Sequence, residues 1–177
     1  MNAVVIYKSK TGYTKKYAEW IAKELKADLF DVSTVEISTL SDYDTVIYGG
    51  SLHAVGIDGI KFIKRNFDRL KGKKIIVFAT GASPFRENVT DEVTEKNFTP
   101  EQREQIRFFY FRGGFNYAKL PPFDKFLMSL LKMKIKIKEK KGGKLTPDEK
   151  GMLSIYDKPV DYTRKEKIND LIAYARM

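Results

Sequence analysis

The chain has 177 residues, enough for one domain with a sizeable core, and its 42% hydrophobic and 32% charged residues describe a soluble globular protein. A net charge of +10, no cysteine and a single histidine, His53, exclude disulfides, thiol catalysis and thiolate metal sites and leave a histidine-based triad little to work with, so an enzyme of this composition would leave the hard chemistry to a bound cofactor. No apolar run approaches the ~18 residues of a membrane span, and the first residues enter a strand pattern rather than a signal peptide, so the expected location is the cytoplasm.

The first strand is Ala3-Val4-Val5-Ile6-Tyr7, a β-branched and aromatic run of the kind buried on both faces of a parallel sheet. Tyr17, Ala18, Ile21, Ala22 and Leu25 then share one helix face. Between them, Ser9-Lys10-Thr11-Gly12-Tyr13-Thr14 is a strand-to-helix turn. Such a turn aims backbone N–H groups and the positive end of a helix dipole out of the carboxyl edge of the sheet. Ser9, Thr11 and Thr14 add hydroxyls around Gly12, which makes a phosphate cradle. Thr14 would equally serve as an ordinary helix N-cap. Neither G-x-x-x-x-G-K-[ST] nor G-x-G-x-x-G is present, so neither a nucleoside triphosphate loop nor a dinucleotide fingerprint is at hand.

Leu29-Phe30-Asp31-Val32 reads as a short strand, and Thr45-Val46-Ile47-Tyr48 as a longer one that stops at Gly49-Gly50-Ser51. Asp58 is expected to cap a helix carrying Ile60, Ile63, Phe67 and Leu70. Ile75-Ile76-Val77-Phe78-Ala79 is a third buried strand, ending on Thr80-Gly81-Ala82-Ser83-Pro84. The long connection 84–105 must hold its own structure: a helix around 87–96 and a second one opened by the capping box Thr99-Pro100-Glu101-Gln102. Residues 106–111 form an aromatic strand, followed by Gly113-Gly114-Phe115-Asn116-Tyr117. Phe123, Phe126, Leu127, Leu130 and Leu131 make a helical stripe, and Thr163-Arg164-Lys165-Glu166 reads as a capping box for a last helix bearing Ile168, Leu171, Ile172 and Ala175.

Strands alternating with helices predict an α/β fold: a doubly wound, five-stranded parallel sheet with helices on both faces and ligands outside the carboxyl ends of the strands. Three small-residue loops converge on that edge. Each alone is ordinary turn chemistry; together they suit a flat cofactor held by its phosphate at one end and by two loops at the other.

The pattern of residues 9–14 resembles the [ST]-x-T-G-x-T loop with which flavodoxins hold the terminal phosphate of FMN. Phe111-Arg112-Gly113-Gly114-Phe115-Asn116-Tyr117 and then Phe123-Asp124-Lys125-Phe126-Leu127-Met128-Ser129-Leu130-Leu131-Lys132-Met133 look like the "GxxxY…DxFxxxLxxKM" stretch of one branch of that superfamily, the bacterial menaquinone-dependent protoporphyrinogen IX dehydrogenases, and Tyr162-Thr163 is similar too. The resemblance spans nearly the whole chain. It implies a flavodoxin-like fold with FMN held by Ser9, Lys10, Thr11, Gly12, Tyr13, Thr14, Ser51, Leu52, His53, Ala54, Thr80, Gly81, Ala82, Ser83 and Phe85. Tyr13, Leu52, His53 and Phe85 would flank the flavin ring, with a neutral His53 able to donate a hydrogen bond. No side chain is expected to act as a catalytic nucleophile, because the chemistry takes place at the flavin.

The implied activity is FMN-dependent oxidation of a reduced organic substrate, with protoporphyrinogen IX as the candidate, and delivery of the electrons to a quinone. Arg112, Lys119 and Lys125 would pair with the substrate's propionates, and Phe115 and Tyr117 would stack on its face. The alternative is an electron carrier between protein partners. Flavodoxin carriers are typically acidic, whereas this chain has a pI near 9.5. No nucleic-acid recognition motif is present and no such partner is expected.

Two departures from the branch stand out. The loop Ser51-Leu52-His53-Ala54 lacks the basic and aromatic residues expected by analogy, and a lysine-rich insertion occupies about 132–150. Lys132, Lys134, Lys136, Lys138, Lys140, Lys141 and Lys144 face a single acid, Glu139, within residues 132–144. Residues 133–138 alternate strictly, so helix and strand both stay open there. The segment reads either as a solvated face or as a peripheral contact with the anionic inner face of the cell membrane.

Overall fold

The computed structural model describes residues 2–84, 88–156 and 158–177. Strands β1 (Ala3–Lys8), β2 (Asp28–Asp31), β3 (Thr45–His53), β4 (Gly56–Ile57), β5 (Lys74–Gly81) and β6 (Ile106–Arg112) form one sheet. Five of them run parallel in the order β2-β1-β3-β5-β6, and β4 folds back antiparallel on the end of β3. The order reverses beside β1, which creates the switch point at which such sheets bind ligands.

The apolar runs supply both faces because successive side chains point to opposite sides. Val4, Ile6, Val46, Tyr48, Ile75 and Val77 pack on one side with Ile63 of α2 (Lys61–Arg65), Leu70 of the following 3-10 turn and Val93 of α3 (Val89–Asn97). On the other side, Val5, Ile47, Ile76 and Phe78 meet Tyr17 and Ile21 of α1 (Tyr13–Leu25) and Leu171 and Ile172 of α7 (Asn169–Arg176). The doubly wound arrangement expected from the alternation is therefore present.

Several local expectations change. β3 runs on through Gly49, Gly50 and Ser51 to His53, where the sequence pattern stops it at Tyr48. These glycines are ladder residues, paired as Gly49 with Phe78 and Gly50 with Ala79 on β5. Packing demands them: a Cβ on Gly49 would stand 2.1 Å from the Phe78 ring, and one on Gly50 would stand 2.6 Å from the Asp58 carbonyl oxygen. Asp58 does not cap a helix, since α2 begins at Lys61; its carbonyl accepts the Tyr48 hydroxyl at 2.8 Å and its carboxylate faces Lys8 at 3.4 Å.

The Thr99 capping box forms as expected and opens α4 (Pro100–Gln105). The Thr163 box does not. The Thr163 amide and hydroxyl both donate to Asp161 Oδ1, at 2.8 and 2.6 Å, and the final helix starts through a 3-10 turn at Lys165–Ile168 without a side-chain cap.

Beyond β6, the short β7 (Gly114–Phe115) pairs antiparallel with β8 (Val160–Asp161), bracketing two helices, α5 (Pro122–Lys140) and α6 (Pro147–Tyr156). Residues 132–140 are helical, which decides between the two alternatives for the lysine-rich segment. Lys138 Nζ bonds both oxygens of Glu149 at 3.0 and 2.8 Å, and Thr146 and Glu149 cap α6 reciprocally. No helix among the described residues is long and apolar enough to cross a membrane.

Candidate functional site

The carboxyl ends of β1, β3 and β5 open into a cleft of about 800 Å³, toward the upper end of the roughly 300–1,000 Å³ of small-molecule sites. Its floor is the turn after β1. Gly12 sits at φ +95°, a left-handed conformation that favours glycine, and its carbonyl accepts the first helical bond of α1 from Lys16 N at 3.0 Å. The first-turn amides of α1 have no partner within the helix. Ser9 Oγ accepts the Gly12 amide at 3.1 Å, so its own proton is left to donate elsewhere.

Thr14 is not the N-cap, which is Gly12; it lies in the first turn, 1% exposed, with its hydroxyl 2.7 Å from that of Thr80 on β5. When Thr80 donates in this pair, the Thr14 proton is available to a phosphate. Around the turn, cations and acids pair off: Lys8 with Asp58 at 3.4 Å, Lys10 with Asp124 at 3.0 Å and Lys16 with Asp161 at 2.8 Å. The cradle thus offers hydrogen-bond donors rather than net charge. Partial burial pushes the Asp161 carboxyl up, but the bonds from Lys16 and Thr163 outweigh it and hold the group below the usual aspartate range.

Of the residues singled out in the sequence, Lys10, Thr11, Tyr13, Ser51, Leu52 and His53 line this cleft, as do Ala54, Thr80, Gly81, Ala82 and Ser83. Ser9, Gly12 and Thr14 shape the turn beneath it, and Phe85 lies outside the described residues. Tyr13 does more anchoring than flanking: its hydroxyl donates to the Val160 carbonyl at 3.0 Å, and its ring lies where a Cβ on Gly114 would be, 2.6 Å away. Lys10 Nζ stands 3.3 Å from His53 Nε2. An ammonium can only donate, so a hydrogen bond here has Nε2 of a neutral imidazole as its acceptor.

The hairpin carrying His53 turns through Ala54 at φ +54°, a strained position for a residue with a Cβ. It is held by Asn97, a buried side chain the sequence does not flag, which accepts from Ile57 N at 3.0 Å and donates to the Val55 and Val93 carbonyls at 2.7 Å each.

Two buried polar atoms in the cleft walls, Ser51 Oγ and Asn116 Oδ1, have no hydrogen-bond partner among the described residues. Such atoms cost stability unless a ligand meets them. Their position next to a hydroxyl-lined strand-to-helix turn fits a flat heteroaromatic ring with a phosphate tail. Asn116 was outside the expected set; its signal was the small-residue run Gly113-Gly114-Phe115-Asn116 at the end of a fourth strand on the same edge.

The cleft also has a second wall that the loops alone did not suggest. Leu127 and Met128 of α5 and Gly151, Met152 and Ile155 of α6 line it, with Arg112 at the end of β6 and Phe115 of β7. Arg112 Nε donates to the Ala82 carbonyl at 3.1 Å and its guanidinium lies 3.6 Å from the Tyr162 ring centre. Tyr117, Lys119 and Lys125, expected to contact a substrate with Arg112 and Phe115, are not among the lining residues. Tyr117 instead bonds Ser129 at 2.8 Å and packs its ring at a tilt against Tyr156, with ring centres 4.7 Å apart.

The family model described as a flavodoxin domain matches residues 4–142. The chain belongs to the flavodoxin domain family. An uncharacterized protein of Methanocaldococcus jannaschii is 28% identical over 106 residues, covering 55% of this chain and 69% of its own. Among solved structures, the Trp repressor binding protein of Bacillus subtilis is 18% identical with a TM-score of 0.48, covering 65% of this chain and 85% of that one. Oxidised flavodoxin 1 of Bacillus cereus is 20% identical with a TM-score of 0.47, covering 71% and 89%. Flavodoxin domains typically take FMN, and the turn and the two orphaned polar atoms fit that cofactor.

Ser51→Ala removes an unmet hydroxyl, so the flavin-free chain should be as stable as before or up to about 1 kcal/mol more stable. If Ser51 meets the flavin ring, FMN and riboflavin, which share that ring, should both bind about tenfold more weakly. Fluorescence titration and thermal melting read the two effects, and a loss confined to FMN would move Ser51 to the phosphate end.

Proposed function

We propose that this flavodoxin domain is an FMN-dependent oxidoreductase of small molecules, passing electrons from a reduced organic donor to a quinone, with a porphyrinogen as the candidate donor. When bound, FMN supplies a ring that takes up electrons from one molecule and yields them to another. The observation that carries the reading is the second cleft wall. Met128, Met152 and Ile155 add apolar surface to a cleft that the turn and loops line with polar groups, which suits a planar organic molecule beside the cofactor.

The chain's own residues bind and orient. Ser9, Thr11 and Thr14 hold the phosphate, Ser51 and Asn116 meet the polar edge of the ring, and Leu52 and His53 cover part of it. Arg112 is already fixed by Ala82 and Tyr162, so it can face a substrate carboxylate with little further loss of side-chain freedom. A carrier between proteins would need neither the walled cleft nor an apolar lining. The net charge of +10 also opposes docking on the basic partners that acidic carriers use.

Anaerobic turnover of FMN-loaded protein with protoporphyrinogen IX and a soluble menaquinone analogue tests the proposal. Porphyrin formation that depends on the quinone is the expected result. Quinone reduction with a different reduced donor and none with the porphyrinogen would keep the oxidoreductase and discard the porphyrinogen. Failure with every small-molecule pair would return the chain to the carrier reading.

A further inference from the structure

Helix α5 points its apolar stripe away from the protein. Phe123, Phe126, Leu127, Leu130, Met133 and Ile137 are between 41% and 69% exposed, and Ile135 is the helix's one buried residue among those described. The result is on the order of several hundred Å² of continuous apolar surface, the size that marks an interaction site. Lys134 falls within the stripe by helical spacing. Lys132, Lys136 and Lys140, four residues apart, run along one flank and line a shallow groove of about 450 Å³ with Tyr117 and Tyr156. Lys138, on the other flank, is engaged by Glu149.

A second copy of the chain is a poor occupant, because it would bring one lysine flank against another. A straight, one-helix strip with aromatic residues at one end and lysines along its side matches the helices that lie in the boundary between lipid headgroups and acyl chains. Leu127 belongs both to this strip and to the cleft lining, so the surface runs into the mouth of the flavin cleft.

We propose that the exposed face of α5 docks on an anionic lipid surface, with Phe123, Phe126, Leu130 and Met133 entering the acyl boundary, Lys134, Lys136 and Lys140 meeting headgroup phosphates, and the cleft mouth at Leu127 brought against the bilayer. Docking would let a quinone dissolved in the bilayer reach the cleft without crossing water; that route rests on the oxidoreductase reading, whereas the docking does not.

Co-sedimentation of the full chain with vesicles of phosphatidylglycerol and phosphatidylcholine, against pure phosphatidylcholine, tests it. The expected result is partition at least about tenfold stronger onto the anionic vesicles at low salt, falling as salt rises. Phe126→Ser with Leu130→Ser, and separately Lys134→Glu with Lys136→Glu and Lys140→Glu, should each weaken it by about tenfold or more. All these side chains are exposed and outside the cleft lining, so circular dichroism and bound flavin should be unchanged. Equal binding to the two lipids, no binding, or full binding by the serine variant would overturn the proposal. Self-association in sedimentation velocity that the serine variant abolishes would make the occupant a second copy and overturn it too. Vesicle binding is read with or without flavin, so its failure leaves the flavin reading standing, and loss of the flavin reading leaves it standing in turn.

Discussion

A Gly49→Ala chain should melt about 6–12 °C below the natural one. The added methyl would sit 2.1 Å from Phe78 Cζ and under 3 Å from both neighbouring ring carbons, and Phe78 is fully buried between β5 and the helices α1 and α7. Neither group can yield locally, because Gly49 is paired on one side with Tyr7 of β1 and on the other with Phe78 itself. Overpacking of a closed core costs about 1–3 kcal/mol, and a clash with a ring and a backbone together belongs at the upper end, near 3 kcal/mol. At about 2–4 °C per kcal/mol for a chain of this size, that gives the stated range. Gly56→Ala is the control. Its Cβ would meet nothing closer than 3.5 Å, and its stability should stay within about 0.5 kcal/mol of the natural chain. Identical melting of the two variants would mean that β3 ends before Gly49.

The second large effect is on ligand selectivity. Thr14→Val keeps the shape of a side chain that is 1% exposed and removes its hydroxyl, which pairs with Thr80 and which in the proposed binding mode would donate to the phosphate. Affinity for FMN should fall about 10- to 100-fold, the range of one lost charge-assisted hydrogen bond, while riboflavin, which lacks the phosphate, binds as before. Comparing the two titrations decides the matter. A matching loss for riboflavin would show that the Thr14–Thr80 pair acts by holding β5 rather than by holding phosphate, and a fall in FMN affinity below twofold would remove Thr14 from the site.

Sequence patterns recovered the parallel sheet because its strands carry unbroken β-branched runs such as Val4-Val5-Ile6 and Ile75-Ile76-Val77, which have few other uses. The turn between β1 and α1 was legible for a similar reason: small and hydroxylated residues followed a strand and preceded a helical stripe. Gly49 and Gly50 misled because a glycine pair looks the same whether it turns the chain or makes room for a neighbour, and that neighbour, Phe78, is 29 positions away on β5. Asp58 and Thr163 were read as caps from spacing alone. Each has a competing partner, Lys8 for Asp58 and Asp161 for Thr163, that spacing does not reveal. The α5 stripe was visible as a helix face, but periodicity says nothing of what lies opposite that face. Asn116 and the α6 wall depend on how the segment between β7 and β8 folds back, a long-range arrangement with no local signature apart from the unread capping box at Thr146 and Glu149.

The packing of α7 against α1 has a consequence for synthesis. Tyr17, Ile21 and Ala18 share their burial with Ile168, Leu171 and Ala175, yet in the chain the two sets are separated by every strand of the sheet except β1 and by the α5–α6 segment. A ribosome working at about 5–20 residues per second needs on the order of three to ten seconds to pass from the end of β6 to the start of the final helical segment. Throughout that interval the sheet can assemble on the nascent chain, but the face of α1 and the edge around Phe109 and Phe111 lack their cover. The lysine-rich stretch emerges in the same window and adds a block of like charge to the nascent chain while that face waits. Nascent chains of this domain should therefore be most prone to mispairing, and most dependent on chaperones, in those seconds before residues 168–175 arrive.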